Sequence, residues 1–401
     1  GLICDRFYDR PTSSLKVYGV TGTNGKTSAV SYLAELLTAV GERVAVMGTV
    51  EYRFEDRVLV APNTTPDALV IQRFARQALN LGATALALEV SSHALSLDRV
   101  AGVRFDAVGF TSFGRDHLDF HGSIEEYREA KGRLFSDYVK YAMSEGKSPI
   151  VVAHDETEGL GMLQRAPAEA RRVYCQVIGA DRRPRSLNER ERYLRIEATS
   201  APSLAGLSLS AELQTSTETT ALCEVFSPLI GDYHPFNVGI ALGMVAGTHP
   251  QYLDRAWQSL SETRGVSGRM EKVDLPYQHP SDQRVALVDY AHTPEAITRA
   301  LEAVKAVYDG PISVIVGCGG DRDRGKRPEM LRAALHFADQ VWLTSDNPRS
   351  EDPQQIIRDA LSLSEPTDGQ EICKVEVDRR QCIFKAWRAL PARGALLITG
   401  K

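Results

Sequence analysis

Gly19-Val20-Thr21-Gly22-Thr23-Asn24-Gly25-Lys26-Thr27 decides the fold. The stretch follows the apolar run Leu15–Val20 and opens an amphipathic segment that carries Leu33, Leu36, Leu37 and Val40 on one face. A glycine-rich turn between a strand and a helix is a phosphate cradle. Backbone N–H groups at a helix N-terminus face an anion, a lysine reaches the outer phosphates, and a hydroxyl can hold Mg²⁺. The pattern predicts ATP or GTP as a ligand. The strict P-loop also wants glycine six residues before the lysine, where this chain has Val20, so the loop is a variant.

With 401 residues the chain exceeds one ordinary core, and two or three domains are expected. Its 43% apolar and 25% charged residues describe a globular protein. A net charge of −5 gives no electrostatic reason to expect nucleic acid, and the basic cluster Arg182–Arg185 reads as solvated surface. Neither a long apolar run nor a signal-like start points to a membrane, so a cytoplasmic location is expected. Six scattered cysteines without a Cys-x-x-Cys pair suggest neither zinc nor a disulfide framework.

Short apolar runs alternate with helical patterns in both halves, which predicts parallel sheets covered by helices. The expected strands of the first half are Lys16–Val20, Val44–Met47, Ala85–Val90, Ala107–Thr111 and Ile150–Ala153. Residues 156–222, with alternating segments Tyr193–Ala198 and Leu207–Leu213, read as an antiparallel insertion or extension. Phe236–Ala246 reads as a helix closing the first domain. A second doubly wound series is expected from Gly265. Its strands are Val285–Asp289, Ile312–Gly317, Gln340–Thr344, Lys374–Val377 and Ala395–Thr399. Helices Pro294–Val307, Arg327–Phe337, Pro353–Leu363 and Arg379–Leu390 lie between them. The fold class is therefore α/β: a P-loop-type doubly wound domain followed by a Rossmann-like one.

Glu89 and His117 lie just beyond strands, at the carboxyl edge where such sheets bind ligands, and are candidate Mg²⁺ ligands. In the second half, Asp321 to Arg327 packs four cations and two carboxylates into seven residues, with glycines at its flank; an anion-handling loop is expected.

Eight segments, in order, resemble the Mur ligases: Thr-Gly-Thr-Asn-Gly-Lys-Thr (21–27), Asn-Thr-Thr-Pro (63–66), Glu-Val-Ser-Ser-His-Ala-Leu (89–95), Arg-Asp-His-Leu-Asp-Phe-His-Gly (115–122), Ala-Lys-Gly-Arg-Leu-Phe (130–135), Ser-Gly-Arg-Met-Glu (267–271), Asp-Tyr-Ala-His-Thr-Pro (289–294) and Asp-Asn-Pro-Arg (346–349). The nearest branch is the one that adds meso-diaminopimelate to UDP-N-acetylmuramoyl-L-alanyl-D-glutamate in peptidoglycan synthesis. The resemblance implies ATP-dependent amide formation through an acyl phosphate.

It also implies roles. Gly22, Thr23, Asn24, Gly25, Lys26 and Thr27 would hold the phosphates. Thr27 and Glu89 would hold one Mg²⁺, and His117 a second beside a carbamate carried by Lys131. Asn237, Arg269 and Asp289 would contact the nucleotide, the last two from the second domain. Thr64, Thr65, Ser91 and Arg99 would bind the UDP-MurNAc-dipeptide. Arg349, in Asp346-Asn347-Pro348-Arg349, would grip the distal carboxylate of diaminopimelate with help from Arg322 and Gly400, since a guanidinium fork matches a carboxylate and repels lysine's ammonium. The remaining expectations are small-molecule substrates, no nucleic acid, no membrane and a monomer.

Three features depart from the family. Thr111-Ser112-Phe113-Gly114 stands where Thr-Asn-Leu is usual. Leu97 replaces a substrate-binding glutamine of some relatives. Residues 1–14 would be the remnant of a uridine-binding domain, followed by a central domain over 15–264 and a C-terminal domain over 265–401 that stops before the family's Gly-His-Glu. Competing readings are ligation of L-lysine, a folylpolyglutamate synthase-like ligase, a small-molecule kinase, and an inactive ATP-binding scaffold.

Overall fold

The computed structural model describes residues 1–61, 63–177, 186–274, 283–362 and 373–400. The basic cluster at 182–185 lies outside them. The chain divides into two compact units. Unit 1 comprises Gly1–Ala201, Leu207–Pro228 and Tyr233–Arg264; unit 2 comprises Pro202–Gly206, Leu229–Asp232 and Gly265–Lys401.

Unit 1 is built on one sheet. Its strands are β1 Lys16–Thr21, β2 Val44–Met47, β3 Glu51–Phe54, β4 Arg57–Val60, β5 Ala85–Glu89, β6 Ala107–Phe110, β7 Ile150–His154, β8 Arg171–Val177, β9 Glu191–Ala198, β10 Leu207–Gln214 and β11 Thr219–Ser227. The order is β11-β10-β9-β8-β7-β6-β1-β5-β2-β3-β4. Pairing is parallel from β9 across to β2, and antiparallel for β10 and β11 at one end and β3 and β4 at the other. β1 thus sits between β5 and β6, and the chain leaves it at a switch point, where an open α/β sheet has its crevice.

Residues 156–222 correct the expectation of an antiparallel insertion. They form helix Thr157–Arg165 and then β8 and β9, which continue the parallel sheet; only β10 runs the other way, pairing antiparallel with β9 and β11. Strands near a sheet end have one wetted face, so they alternate whatever their direction, and the period of two carries no information about it. β8 opens Arg171-Arg172, which hid it among polar residues.

The core strands are apolar on both faces because helices cover them. Leu86, Leu88, Val108 and Val151 are fully buried. Helix Lys26–Ala39 is buried along most of its length and packs against His234–Thr248, the helix expected at Phe236–Ala246. Among the described residues no helix is long and apolar enough to cross a membrane.

Residues 1–14 fold into helices Leu2–Phe7 and Pro11–Ser14 within unit 1. They are held by a buried ion pair: Arg104 Nη1 and Nη2 donate to Asp5 Oδ1 and Oδ2 at 2.8 and 2.9 Å, and Arg104 Nε donates to Glu145 at 2.9 Å. Removing one member leaves a buried charge short of a partner. Asp5→Ala is therefore expected to cost about 3 kcal/mol in urea unfolding, and a loss under about 1 kcal/mol, the range of a surface pair, would show that the segment is not anchored this way.

Unit 2 has strands β12 Glu271–Lys272, β13 Val285–Asp289, β14 Ile312–Cys318, β15 Gln340–Ser345, β16 Cys373–Val375 and β17 Ala395–Thr399 in the order β12-β13-β17-β14-β15-β16. All neighbours pair in parallel except β12. β13, β17 and helix Pro294–Val307 fall where the sequence placed them. The helix begins there because Pro294 sits at its first turn and the Thr293 hydroxyl accepts from Ala296 N at 3.2 Å.

Candidate active site

β1 delivers the loop Gly22–Gly25 to the N-terminus of helix Lys26–Ala39. Gly22 and Gly25 have φ of 153° and 86°. A Cβ on Gly22 would lie 2.0 Å from Thr111 Oγ1, and one on Gly25 2.2 Å from Asn237 Oδ1. Both glycines are therefore required by conformation and by space.

The Lys26 ammonium arches back to donate to Gly22 O at 2.9 Å and Thr23 O at 3.0 Å. Lys131 Nζ donates to the same Gly22 oxygen at 2.8 Å, 4.3 Å from the centre of the Tyr127 ring. Two lysines thus converge on one carbonyl. Lys131 is buried, and burial, then the charge of Lys26, holds its pKa well below the ordinary lysine value. It stands on helix Ile124–Arg133, which opens with Ser123 accepting from Glu126 N and passes into a π-helical turn at Leu134–Tyr138.

The loop 111–114, a departure from the family pattern, latches the phosphate loop. Thr111 Oγ1 donates to Asn24 O at 2.5 Å, Ser112 Oγ accepts from Asn24 N at 3.0 Å, and Gly114 N donates to Thr23 Oγ1 at 3.0 Å. The Thr23 hydroxyl also meets Tyr127 OH at 3.1 Å.

Glu89, at the end of β5 and 1% exposed, faces the helix N-terminus. Its Oε2 accepts from Thr27 Oγ1 and Thr49 Oγ1, each at 3.0 Å, and its Oε1 accepts from Thr49 N at 2.7 Å. These donors are neutral, so they orient the carboxylate without cancelling its charge.

Thr49 also meets Thr64 Oγ1 at 3.1 Å, linking one of the expected substrate threonines to Glu89. Thr65 Oγ1 donates to Glu89 O at 2.8 Å and accepts from Ser91 N at 2.9 Å, while Arg99 donates to Thr65 O at 3.0 Å. Thr64, Thr65, Ser91 and Arg99 therefore form one patch beside Glu89.

His117, in a left-handed conformation with φ of 51°, faces Asp116 Oδ2 at 3.5 Å. Burial is the main cause that pushes its pKa down to about 4; Asp116 opposes it, and His93, Lys26 and Lys131 add to it. The imidazole is then neutral at pH 7, the form that ligates metals. His93 packs edge-on against it with ring centres 4.7 Å apart.

Among the described residues no three His, Cys, Asp or Glu side chains form a ready metal cage. A hydroxyl and one carboxylate suit Mg²⁺, which is held by one or two carboxylates plus substrate phosphates. The donor set fits.

Unit 2 carries the other predicted residues. The Asp289 carboxylate accepts from Met270 N at 2.9 Å and Ala291 N at 2.8 Å, and the Arg269 guanidinium lies 4.6 Å over the Tyr290 ring. Burial raises the Asp289 pKa, against the pull of Arg269. Asp346, Asn347 and Arg349 follow β15, with Asp346 Oδ1 accepting from Asn347 N at 2.8 Å. Gly400 follows β17 and donates to Ala291 O at 3.1 Å; a Cβ on it would lie 2.7 Å from Asp346 Oδ2. Arg322 is exposed after β14.

The anion-loop expectation is narrowed. Arg327 is buried against Glu351 and Asp359, and Arg324 pairs with Glu351 at 3.0 Å, so both serve the loop itself. Thr49, Tyr127 and Glu351 escaped the sequence reading. The one available signal was for Thr49, two residues past a strand's carboxyl end.

Residues 20–245 match the model of the Mur ligase middle domain, and 268–401 that of the Mur ligase glutamate ligase domain. The UDP-N-acetylmuramoyl-L-alanyl-D-glutamate–2,6-diaminopimelate ligase of Thermosynechococcus vestitus is 36% identical over all of this chain and 74% of its own length. The ligase of the same name from Alkalilimnicola ehrlichii is 40% identical, again over 100% and 74%. A solved structure of an enzyme of that name aligns with a TM-score of 0.63 at 31% identity, covering 100% of this chain and 77% of that one. Folylpolyglutamate synthase of Mycobacterium tuberculosis, solved with ADP, aligns at 0.72 over 99% of this chain and 90% of its own, but at 16% identity it shares the fold alone. Two matching domain models and this identity along the whole chain make the protein a member of the Mur ligase family.

Proposed function

We propose that the protein is an ATP-dependent ligase that joins meso-diaminopimelate to UDP-N-acetylmuramoyl-L-alanyl-D-glutamate, acting in the cytoplasm as a monomer. The substrate carboxylate attacks the γ-phosphorus of ATP, giving an acyl phosphate and ADP. The amine then attacks the acyl carbon, and the tetrahedral intermediate expels phosphate.

The chain's residues have distinct parts in this. Amide groups of Gly22–Thr27 and the Lys26 ammonium draw charge from the β- and γ-phosphates. Thr27 and Glu89 would hold one Mg²⁺; His117 and a carbamate on Lys131 would hold a second. An Mg²⁺ held by these residues would offset the charge that develops in transfer. Thr64, Thr65, Ser91 and Arg99 place the dipeptide, and Asn237, Arg269 and Asp289 the nucleotide. Asp346, Asn347, Arg349, Arg322 and Gly400 receive the amino acid.

The observation that carries this reading is Lys131: a buried amine of depressed pKa aimed at the phosphate loop. In its neutral form the amine can attack CO₂, forming an N–C bond and releasing one proton, so that a neutral amine becomes an anion beside the phosphates. A kinase or scaffold has no use for it.

Phosphate release by the full-length protein tests the function. It should require ATP, UDP-MurNAc-dipeptide and diaminopimelate together; release without an amine indicates a kinase, and none at all a scaffold. Arg349→Ala is expected to cut the preference for diaminopimelate over lysine by about 10²-fold, the loss of a bidentate carboxylate contact. An unchanged ratio would remove Arg349 from the specificity site.

A further inference from the structure

We infer that Glu351 is a positioning residue for amino-acid selection: its carboxylate bolts the loop after β14 to the loop after β15 and so sets where Arg349 points. The inference rests on the ligase reading above.

Both loops leave the carboxyl ends of adjacent strands. Gly320 N donates to Asn347 O at 2.9 Å, and Arg349 Nη1 donates to Gly320 O. The approach is close enough that a Cβ on Gly320 would meet Pro348 O at 1.9 Å. Asp321 and Arg349 face each other across this seam, each left-handed, with φ of 50° and 49°. Aspartate tolerates that region but arginine does not favour it, and at Arg349 such a conformation persists only where its surroundings enforce it.

Glu351 supplies the enforcement. Oε1 accepts from Asp321 N at 2.6 Å and from Arg327 Nη2 at 2.7 Å; Oε2 accepts from Arg327 Nη1 at 3.1 Å and Arg324 Nη2 at 3.0 Å. Arg327 is itself buried and anchored to Asp359 at 2.6 Å. Ser350 closes the seam from the other side, its hydroxyl donating to Asp321 Oδ1 at 2.7 Å and Oδ2 at 2.9 Å and its amide to Oδ2 at 3.1 Å. Arg327 first, then the Asp321 amide, holds the Glu351 carboxyl down at about 2, so the bolt stays charged throughout the working range. Arg349 is exposed, inside a turn that Glu351 N closes on Pro348 O at 3.0 Å, and the cross-loop bonds hold that turn against the neighbouring loop.

The test compares kcat/KM for diaminopimelate with that for lysine in wild type, Glu351→Gln and Ser350→Ala. Glu351→Gln should lower the ratio by about ten-fold or more, the discrimination lost when a site's polar groups are misplaced, with the KM for ATP unchanged. Ser350→Ala, which leaves the buried arginine paired, should lower it by about three-fold, a smaller hydrogen-bond loss, and decides the matter if Glu351→Gln does not fold. A plain folding defect would reduce total activity and spare the ratio. An unchanged ratio in the folded variants, or a parallel rise in the KM for ATP, overturns the inference. If the wild type uses another amine, the ligase reading fails on substrate and the same variants are read on that amine's KM. If it uses no amine, both fail.

Discussion

Lys131→Met is expected to lower phosphate release by about 10³-fold, the range seen when a transition-state charge partner is removed, while raising the midpoint of thermal unfolding at pH 7. The two effects have one cause. Lys131 is buried, donates to Gly22 O at 2.8 Å, and has a pKa well below the usual lysine range because it is desolvated and lies near Lys26. A lysine with a depressed folded pKa favours the unfolded state at every pH below the ordinary lysine value, and in full below the folded one. A methionine of similar length removes that penalty and with it the amine that could bind CO₂. Wild type freed of bicarbonate should lose activity and regain it when bicarbonate returns; the variant should not respond. A variant that keeps a tenth of the activity would show that Lys131 only shapes the loop.

Glu89→Gln is expected to cost about 10²–10³-fold in turnover, as for loss of one charged group at a phosphoryl-transfer site, and to move half-saturation by Mg²⁺ to higher concentration. Glutamine keeps the shape: its oxygen can accept from Thr49 N while its amide donates to the Thr27 and Thr49 hydroxyls, which can turn to accept, so the local fold should survive. The negative charge is lost. Unchanged unfolding with a shifted Mg²⁺ dependence separates a metal role from a structural one; an unchanged Mg²⁺ requirement would assign Glu89 to hydrogen bonding alone.

Much of this was visible in the chain. The phosphate loop was legible because glycines, Lys26 and Thr27 are adjacent in sequence and their chemistry needs adjacency. Strands Val44–Met47, Val285–Asp289 and Ala395–Thr399 were legible because buried parallel strands are short unbroken apolar runs. The strand Arg171–Val177 was not, since its first residues are charged, nor was the direction of Glu191–Ala198, since alternation reports a wetted face and not a polarity.

The site divides the same way. Residue types and their local order were enough to nominate Lys26, Thr27, Glu89, His117, Lys131 and Arg349, because each belongs to a short segment with its own pattern. Tertiary structure decided what surrounds them. Lys131 is an ordinary helix lysine in sequence and becomes a buried amine of lowered pKa only when Gly22 and Tyr127 close around it. Arg327 and Arg324 look like anion-binding cations until Glu351 pairs with them. Thr49 and Glu351 have no motif at all. Local pattern determines conformation and which chemical groups are available; desolvation and pairing depend on groups distant in the chain, and only folding brings those within reach.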